Sequence, residues 1–590
     1  MAKTEALSKV RELNSESGHS VKLQLDKQII RLTRLAGDDK MDLSPFPNRS
    51  HQFISLGTLY FKARQFETGL LATIEKLLQN GHGNFMGKKL FLAKLGNQLL
   101  KKHPEPFKNQ SNKAIEVVLT AAKVGGCNLD AHDNWIEAIE EFINQFENNP
   151  TLSKPTEIFT WDKELANIFK QDRILQTPLK LLEDLESAQS VADTIKNDPE
   201  LFDTYITYLE ITQKISNPFR IPDLRILFED SDSTQYDIDV AAIVPPIVSH
   251  EEDLLAKIVG PGNPVPEKLS LLDEFINFIR QRKVSLRPTQ DSGWYDYSTW
   301  NLAPLVSIET MVESKHLEVE ASYAELMEEV FKGKIELDDY RPKDPSQEGE
   351  TLDETTPPRI QVQIDPVLHV EPLPTFYYRR GFSYRFLKNV LLAVFDDDQI
   401  STVKRSTKYG EAALDIISEL EFMQNLFFGA HRAACLDLGM DPAQTPEESL
   451  HVFRSWSADL ERDIDFSKDV RTITPISYDG EKRRIKVNCF LGFREETIEI
   501  AFEKPPEVEI YDKTGKKMPR KNMWLRPTFV GNEGQTSDEI SYSFTKKTVT
   551  ASYPVFDEFY LDKEVSEEEL RKVLDQSSNP FEIRKLLGVN

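Results

Sequence analysis

The chain is 590 residues long and carries 72 basic and 97 acidic side chains, for a formal net charge of −25. A charge of this sign repels a phosphate backbone, which argues against nucleic acid as a partner. With 39% hydrophobic residues the chain can bury a sizeable core, and its length exceeds one ordinary domain. We therefore expect a globular, multidomain protein.

Cysteine usage and the termini bear on the compartment. Cys127, Cys435 and Cys489 lie far apart and form no CxxC pair, a pattern typical of a reducing compartment. The N-terminus lacks the apolar core of a secretory signal, and the apolar run at 389–395 is too short to cross a bilayer. The sequence predicts a cytoplasmic protein that does not enter a membrane.

The first 150 residues are predicted to form a helical bundle. Apolar residues recur at three- and four-residue spacing in two segments, so each segment would form a helix with one apolar face. The two sets are Phe66, Leu70, Leu71, Ile74, Leu77 and Leu78, and Trp135, Ile136, Ile139, Phe142, Ile143 and Phe146. Such stripes need other helices to cover them.

The middle of the chain divides into three predicted regions. Residues 151–260 are mixed and mainly helical, and residues 261–340 form a helical segment with an aromatic and acidic loop. Residues 341–374 are acidic and contain several prolines, which favours a linker or a long surface loop.

After this linker, residues 375–466 are predicted to be helical again. The periodicity of the hydrophobic residues then changes. Alternation at Ile485, Val487 and Cys489 indicates strands, so residues 470–560 are predicted to form an antiparallel β module. A hairpin turn is expected to end at Gly515, and residues 561–590 form a helical tail. The fold class is α+β and multidomain, with helical N-terminal and middle regions before the β module.

Two segments combine aromatic and charged side chains in patterns typical of binding sites. In the first, acids beside aromatic rings are what a sugar or cation pocket needs, and Asp291 and Asp296 are the candidate catalytic pair. Packing of the same loop is the favoured interpretation of this composition, with the carboxylate pair as the functional alternative. The aromatic residues that accompany these acids are Trp294, Tyr295, Tyr297 and Trp300.

The second segment begins at His369 and Glu371 and is rich in Tyr and Arg. Such clusters are typical of interfaces and anion sites, although they also anchor a neighbouring acidic loop. The acidic run at 336–354 is an obvious partner within the chain. The candidate ligand or interface residues here are Tyr377, Tyr378, Arg379 and Arg380.

Other motif fragments are incomplete. The glycine-rich run 81–89 approaches a phosphate-binding loop, but Lys89 replaces the magnesium-binding Ser or Thr, so a turn between helices is predicted. His431 and Cys435 lie one helical turn apart, where a core histidine beside a buried thiol is the favoured interpretation. No metal and no cofactor is expected.

These patterns favour a cytoplasmic, non-catalytic protein-interaction or scaffold protein whose partners are other proteins. This hypothesis rests mainly on the lack of a complete catalytic motif. The alternative is a hydrolase or carbohydrate-active enzyme that uses the carboxylates of the 291–300 segment.

Overall fold

The computed structural model describes most of the chain, with gaps. The described ranges are 10–14, 18–35, 53–228, 239–248, 250–260, 270–335, 360–395, 397–408, 410–467, 469–473, 485–518, 534–535, 540–561, 565–577 and 580–589.

Helices dominate the chain before residue 470. Helices α1 to α8 are Leu56–Asn80, Lys88–Lys102, Lys113–Val124, Asp133–Glu147, Pro150–Ser153, Lys163–Leu175, Leu181–Lys196 and Pro199–Ile215. Helices α9 to α12 are His250–Val259, Leu271–Arg280, Trp294–Leu302 and Ala321–Ile335. Helices α13 to α18 are Pro374–Val394, Asp397–Ile400, Ile416–Asp437, Ser449–Ala458, Glu567–Gln576 and Pro580–Leu587.

Strands lie near the N-terminus, after residue 468, and at a few points between. Strands β1 to β6 are Val10–Asn14, Ser20–Gln24, Ile29–Arg34, Leu179–Lys180, Val240–Ala241 and Leu317–Val319. Strands β7 to β11 are Ile360–Ile364, Lys404–Thr407, Gly410–Asp415, Asp469–Ile473 and Ile485–Lys504. Strands β12 to β15 are Glu507–Tyr511, Gly534–Gln535, Ile540–Phe544 and Lys547–Leu561. The predicted α+β multidomain class is confirmed.

The largest sheet joins an N-terminal strand to strands of the C-terminal region. Its path is β10, β11, β3 and β6, and β15 also pairs with β11. The long β11 pairs antiparallel with β15 and β3, and Ile500 lies opposite Leu32 of β3. In a separate sheet β2 pairs with both β1 and β12, so that Leu23 lies opposite Val508. Two pairs, β3 with β6 and β7 with β14, are parallel.

The strands at residues 10–34 correct the prediction that the chain begins with a helical bundle. Val21 and Leu23 alternate with polar residues, and so do Ile30 and Leu32, and these four side chains are buried. This period of two is a strand signal, because successive strand side chains point to opposite faces. The bundle itself begins later, at α1.

Two further predictions need correction. Residues 336–359, which include the first part of the linker predicted at 341–374, lie outside the described part. In the rest of that linker β7 forms a strand, and Ile364, Val370 and Glu371 are fully buried. The 375–466 region is helical apart from the β8–β9 hairpin, in which Gly410–Asp415 forms a strand where a helix was expected.

Helices pack against both faces of the main sheet. On one face, Phe61 of α1 stacks on Phe490 of β11 with ring centroids 3.8 Å apart. On the other face, β11 and β15 pack against α17 and α18 through a separate apolar cluster. The pairing with β15 shifts by one residue next to Gly492, whose φ of 132° favours glycine. The shift brings Phe493 onto the same face as Phe490.

Candidate functional site

Helix α13 carries the Tyr and Arg residues that the sequence marks as a candidate site. Pro374 stands at its first turn, where a missing N–H costs no hydrogen bond. Tyr377, Arg380 and Tyr384 follow at three- and four-residue spacing, so they share one helix face. All three are buried, and Arg380 is only 2% exposed. The face that was expected to meet a ligand therefore points into the protein.

The partner of Arg380 is Glu67 of α1. The Oε1 atom of Glu67 accepts hydrogen bonds from the guanidinium of Arg380 and, at 2.7 Å, from the hydroxyl of Tyr384. The guanidinium also lies 5.8 Å from the ring centroid of Trp294. Burial alone lowers the pKa of Arg380, but Glu67 and Tyr384 raise it more, so the guanidinium stays charged.

Helix α11 supplies the aromatic side chains of the other predicted segment, and it packs directly against α13. Tyr297 stacks on Phe386 with centroids 4.4 Å apart. Arg379 donates from Nη1 to the backbone oxygen of Trp300 at 2.8 Å, and its guanidinium lies 4.8 Å from the ring centroid of that residue. The two candidate segments therefore form one contact, which we call the α11–α13 cluster.

The remaining tyrosines of the cluster also pack within the protein. Burial raises the pKa of Tyr295 to about 12. Tyr377 is fully buried near Phe427 of α15, with ring centroids 6.5 Å apart. Tyr378 lies 5.1 Å from the ring of His431. The rings of Tyr377 and Tyr378 thus fill space between α13 and α15.

The two candidate carboxylates have different surroundings. Asp291 is exposed on the turn before α11. Asp296 lies in the first turn of α11, where Oδ2 accepts from the backbone N–H of Gly293 at 3.2 Å. Its Oδ1 accepts from Lys257 at 3.4 Å. Asp296 thus satisfies an N–H at the start of the helix and pairs with a neighbouring cation, which is a packing role.

Sequence reasoning did not identify Glu67 as a partner of the cluster. A usable signal exists in α1, because its apolar residues lie on more than one face, which indicates a helix buried all round. A glutamate within such a helix needs a polar partner. The partner itself is not readable from local sequence, since Arg380 lies 313 residues further along the chain.

A second buried ion network lies one and a half turns earlier on α1. Lys62 donates to Asp463 at 2.8 Å and to Asp465 at 2.6 Å. Arg405 binds Asp465 and also Glu419, each through two nitrogens. Burial lowers the pKa of Lys62, but its two carboxylate partners raise it more. This network joins α1, β8, α15 and the loop before β10.

Glu371 forms a third buried polar group. Its Oε1 accepts from the hydroxyls of Tyr323 at 2.9 Å and Tyr553 at 2.5 Å, and its Oε2 accepts from the backbone N–H of Leu56 at 2.5 Å. The carboxyl therefore meets the N-terminus of α1, the helix α12 and the strand β15. Burial raises the pKa of Glu371 despite these three donors.

The glycine-rich run at 81–89 is a turn between α1 and α2, as predicted. Gly81 and Gly87 have φ values of 78° and 80°, which glycine adopts without strain. Lys88, the residue that would contact a phosphate, is instead buried and bonded to Asp172 of α6. Glu75 lies in the same environment, where burial first and Asp172 second raise its pKa to about 7.

His431 is a core histidine, which confirms the favoured interpretation. Its Nδ1 lies 2.9 Å from the backbone oxygen of Pro374, and its Nε2 accepts from the backbone N–H of Ala443 at 3.0 Å. The thiol of Cys435 lies 3.7 Å from the ring. Burial lowers the pKa of His431 to about 4, so the ring is neutral at pH 7. Both ring nitrogens are thus occupied.

Comparisons with family models, with curated proteins and with solved structures find no match for this chain. Within the described ranges, none of the helices combines the length and the apolar character that crossing a bilayer demands. A function for this chain is therefore inferred from the contacts within it.

Proposed function

We propose that this chain is a non-catalytic interaction or scaffold protein that binds other proteins. The observation that carries the proposal is the inward direction of Arg380, the central cation of the α11–α13 cluster. Its charge is already balanced by Glu67, and its face is covered by Trp294 and Tyr384. A guanidinium held in this way links α1, α11 and α13 and is not available to a substrate.

Exposed apolar side chains on regular helices support a protein partner. Leu182 on α7 is 91% exposed, and Leu185 lies one turn along the same face. Phe581 on α18 is 74% exposed, and Leu586 is exposed on the same helix. Exposed apolar side chains of this size on ordered helices are typical of interaction surfaces when they lie close together.

We also place the protein in the cytoplasm, without nucleic acid as a partner. Cys127, Cys435 and Cys489 are unbridged and buried, which fits a reducing compartment. The net charge of −25 disfavours a phosphate backbone.

The proposal is tested by capture of partners with the full-length protein and matched variants. Leu182→Glu/Leu185→Glu alters the surface of α7, and Phe581→Glu/Leu586→Glu alters that of α18. Leu414→Glu is the control, because Leu414 is 53% exposed but lies on β9.

We expect a partner that wild type and control retain and that one of the double variants loses. Titration of the purified partner should then show affinity weakened by at least about tenfold, since buried apolar anchors dominate such interfaces. If no stoichiometric complex forms, or if every variant binds alike, the scaffold proposal is wrong.

A further inference from the structure

Helix α13 carries four basic residues and no acidic residue, although the net charge of the chain is −25. Arg380 and Lys388 each pair with a glutamate of a neighbouring helix. Arg379 and Arg385 form no ion pair with any residue in the described part of the chain. The charges of these two guanidinium groups are therefore not balanced by a direct partner within the described ranges.

Both guanidinium groups lie over aromatic rings near the surface. That of Arg379 lies 4.8 Å from the ring centroid of Trp300, and that of Arg385 lies 5.8 Å from the ring centroid of Phe382. Trp300 and Phe382 are half-buried, and Arg385 is exposed. Phe382 is three residues from each arginine, and side chains at this spacing are neighbours on a helix. We call Arg379, Phe382 and Arg385 the arginine ridge.

Arg379 is the more buried of the two arginines, and its charge is only partly compensated. Its hydrogen bond to the backbone oxygen of Trp300 uses one of the five N–H groups that a guanidinium offers. Burial lowers the pKa of Arg379 to about 10, because the charge of Glu313 offsets only part of the lost hydration. Glu313 is fully buried, and no salt bridge joins it to Arg379. The guanidinium is still charged at pH 7, so a carboxylate from outside would supply the missing compensation.

Charge and shape determine which partner fits the arginine ridge. A guanidinium whose face lies on a ring still presents N–H groups in its own plane, and a planar carboxylate can accept two of them at once. The net charge of −25 opposes the approach of an acidic partner. Exposed charges are screened beyond about 8 Å at physiological ionic strength, however, so the direct contacts determine the affinity.

We propose that the arginine ridge binds an acidic segment of a partner protein. Arg379 and Arg385 each bind a carboxylate of the segment, and an apolar side chain between these carboxylates packs against Phe382. Six residues of helix separate the arginines, which is about 9 Å along the axis, and about three residues of an extended chain span this distance. The inference rests on the proposed function, since it names the chemistry of a protein partner, but it uses neither α7 nor α18.

The test measures binding of a fluorescein-labelled peptide, Glu-Glu-Phe-Gly-Glu-Glu, to the full-length protein by fluorescence anisotropy. Arg379→Met/Arg385→Met removes both cations, and Lys101→Met/Lys102→Met is the matched control, because these exposed lysines of α2 give the same change in net charge. We expect wild type and the control to bind alike, and the arginine variant to bind at least about tenfold more weakly. The same peptide with Gln in place of Glu should bind wild type at least about tenfold more weakly as well.

If circular dichroism shows that the double variant does not fold, Arg385→Met alone decides, since this side chain is exposed, and we expect it to weaken binding about threefold. The double variants of α7 and α18 should bind the peptide like wild type, so failure of this inference and failure of the proposed function are seen separately.

A wild type that does not bind the peptide, or an arginine variant that binds it equally well, would overturn the proposal. Three other results would also overturn it, because each assigns the ridge to another occupant. Arginine-dependent binding of a thymidine oligonucleotide in preference to the peptide would indicate nucleic acid. Peptide binding only after deletion of residues 341–358 would indicate the acidic segment of the chain itself, and a wild-type dimer that the arginine variant does not form would indicate a second copy.

Discussion

At the scale of single residues, the buried charge of Arg380 depends on one ion-pair partner. Arg380 is 2% exposed, and Glu67 is its ion-pair partner. A buried pair of this kind adds little net stability compared with apolar side chains of similar size, because both charges lose their hydration. Removing one partner is costly, however, because the other charge stays buried without compensation. Replacing both partners with apolar side chains and removing only one of them are therefore expected to affect stability differently.

We expect Glu67→Ala to lower the free energy of unfolding by about 3–5 kcal/mol, because Arg380 then remains buried and unpaired. Adding Arg380→Met to this variant should recover part of the loss. Glu421→Ala is the control, since the Glu421–Lys388 pair also joins α13 to another helix but is partly exposed, and it should cost less than about 1 kcal/mol. Urea unfolding measures all three. Equal losses for Glu67→Ala and Glu421→Ala would contradict this argument.

Glu75 makes a second residue-scale prediction, which concerns pH. Burial first, and the Asp172 carboxylate second, raise its pKa from the ordinary 4.5 to about 7. The folded state therefore holds the proton more tightly than the unfolded state. The stability from this group is fully present below pH 4.5 and is lost as the pH rises through about 7.

Glu75→Gln should remove this part of the pH dependence. Between pH 5 and 8, we expect wild type to lose on the order of 2 kcal/mol relative to the Gln variant. Urea unfolding at a series of pH values measures the difference. If the free energies of unfolding of wild type and Glu75→Gln change in parallel with pH, the carboxyl of Glu75 does not titrate in this range.

At the scale of elements, α11 shows that an unusual local composition can be detected in the sequence while the helix that it packs against cannot. The density of aromatic and acidic residues at 291–300 is visible in the sequence, and the structure uses these residues to start a helix and pack it on α13. The Ser566 cap of α17 is a simpler case. Its side chain accepts from the backbone N–H of Glu569, as the local spacing predicts. Local hydrogen bonds follow from local sequence, whereas helix contacts do not.

Asp296→Asn and Asp291→Asn distinguish a packing role from a catalytic role for the carboxylates of the 291–300 segment. We expect Asp296→Asn to cost about 1 kcal/mol, because the bond to the N–H of Gly293 weakens and the pair with Lys257 is lost. Asp291→Asn should stay within about 0.5 kcal/mol, because Asp291 is exposed. Thermal unfolding measures both. A hydrolytic activity towards glycosides that either variant loses while keeping wild-type stability would favour the enzyme hypothesis instead.

At the scale of the whole molecule, the N-terminal strand β3 and the C-terminal strands β10, β11 and β15 belong to one sheet. The alternation in β3 and the alternation in β11 are each visible in the sequence, because both have a period of two. Their pairing joins Leu32 to Ile500, and local pattern has no information about such distant partners. The C-terminal β module predicted at 470–560 is thus an incomplete unit, since strands from residues 10–34 and 317–319 belong to its sheets.

This pairing predicts that the N-terminal strands stabilise the C-terminal sheet. Leu32→Ala removes a fully buried side chain from β3, and we expect it to lower the free energy of unfolding by about 2–5 kcal/mol. Arg31→Ala is the matched control on the same strand, because its side chain is 35% exposed and makes only surface ion pairs.

Hydrogen exchange locates the effect. In Leu32→Ala, amides of β11 at 498–504 should exchange faster, because these residues pair with β3, while amides at 485–490 on the β10 side should change less. Deletion of residues 1–35 should expose the edge of β11 and the apolar face around Ile500, so the truncated chain should aggregate. A peptide of residues 1–35, added in trans, should slow that exchange again. A truncated chain that stays soluble with wild-type exchange at 498–504 would mean that the sheet is complete without its N-terminal strands.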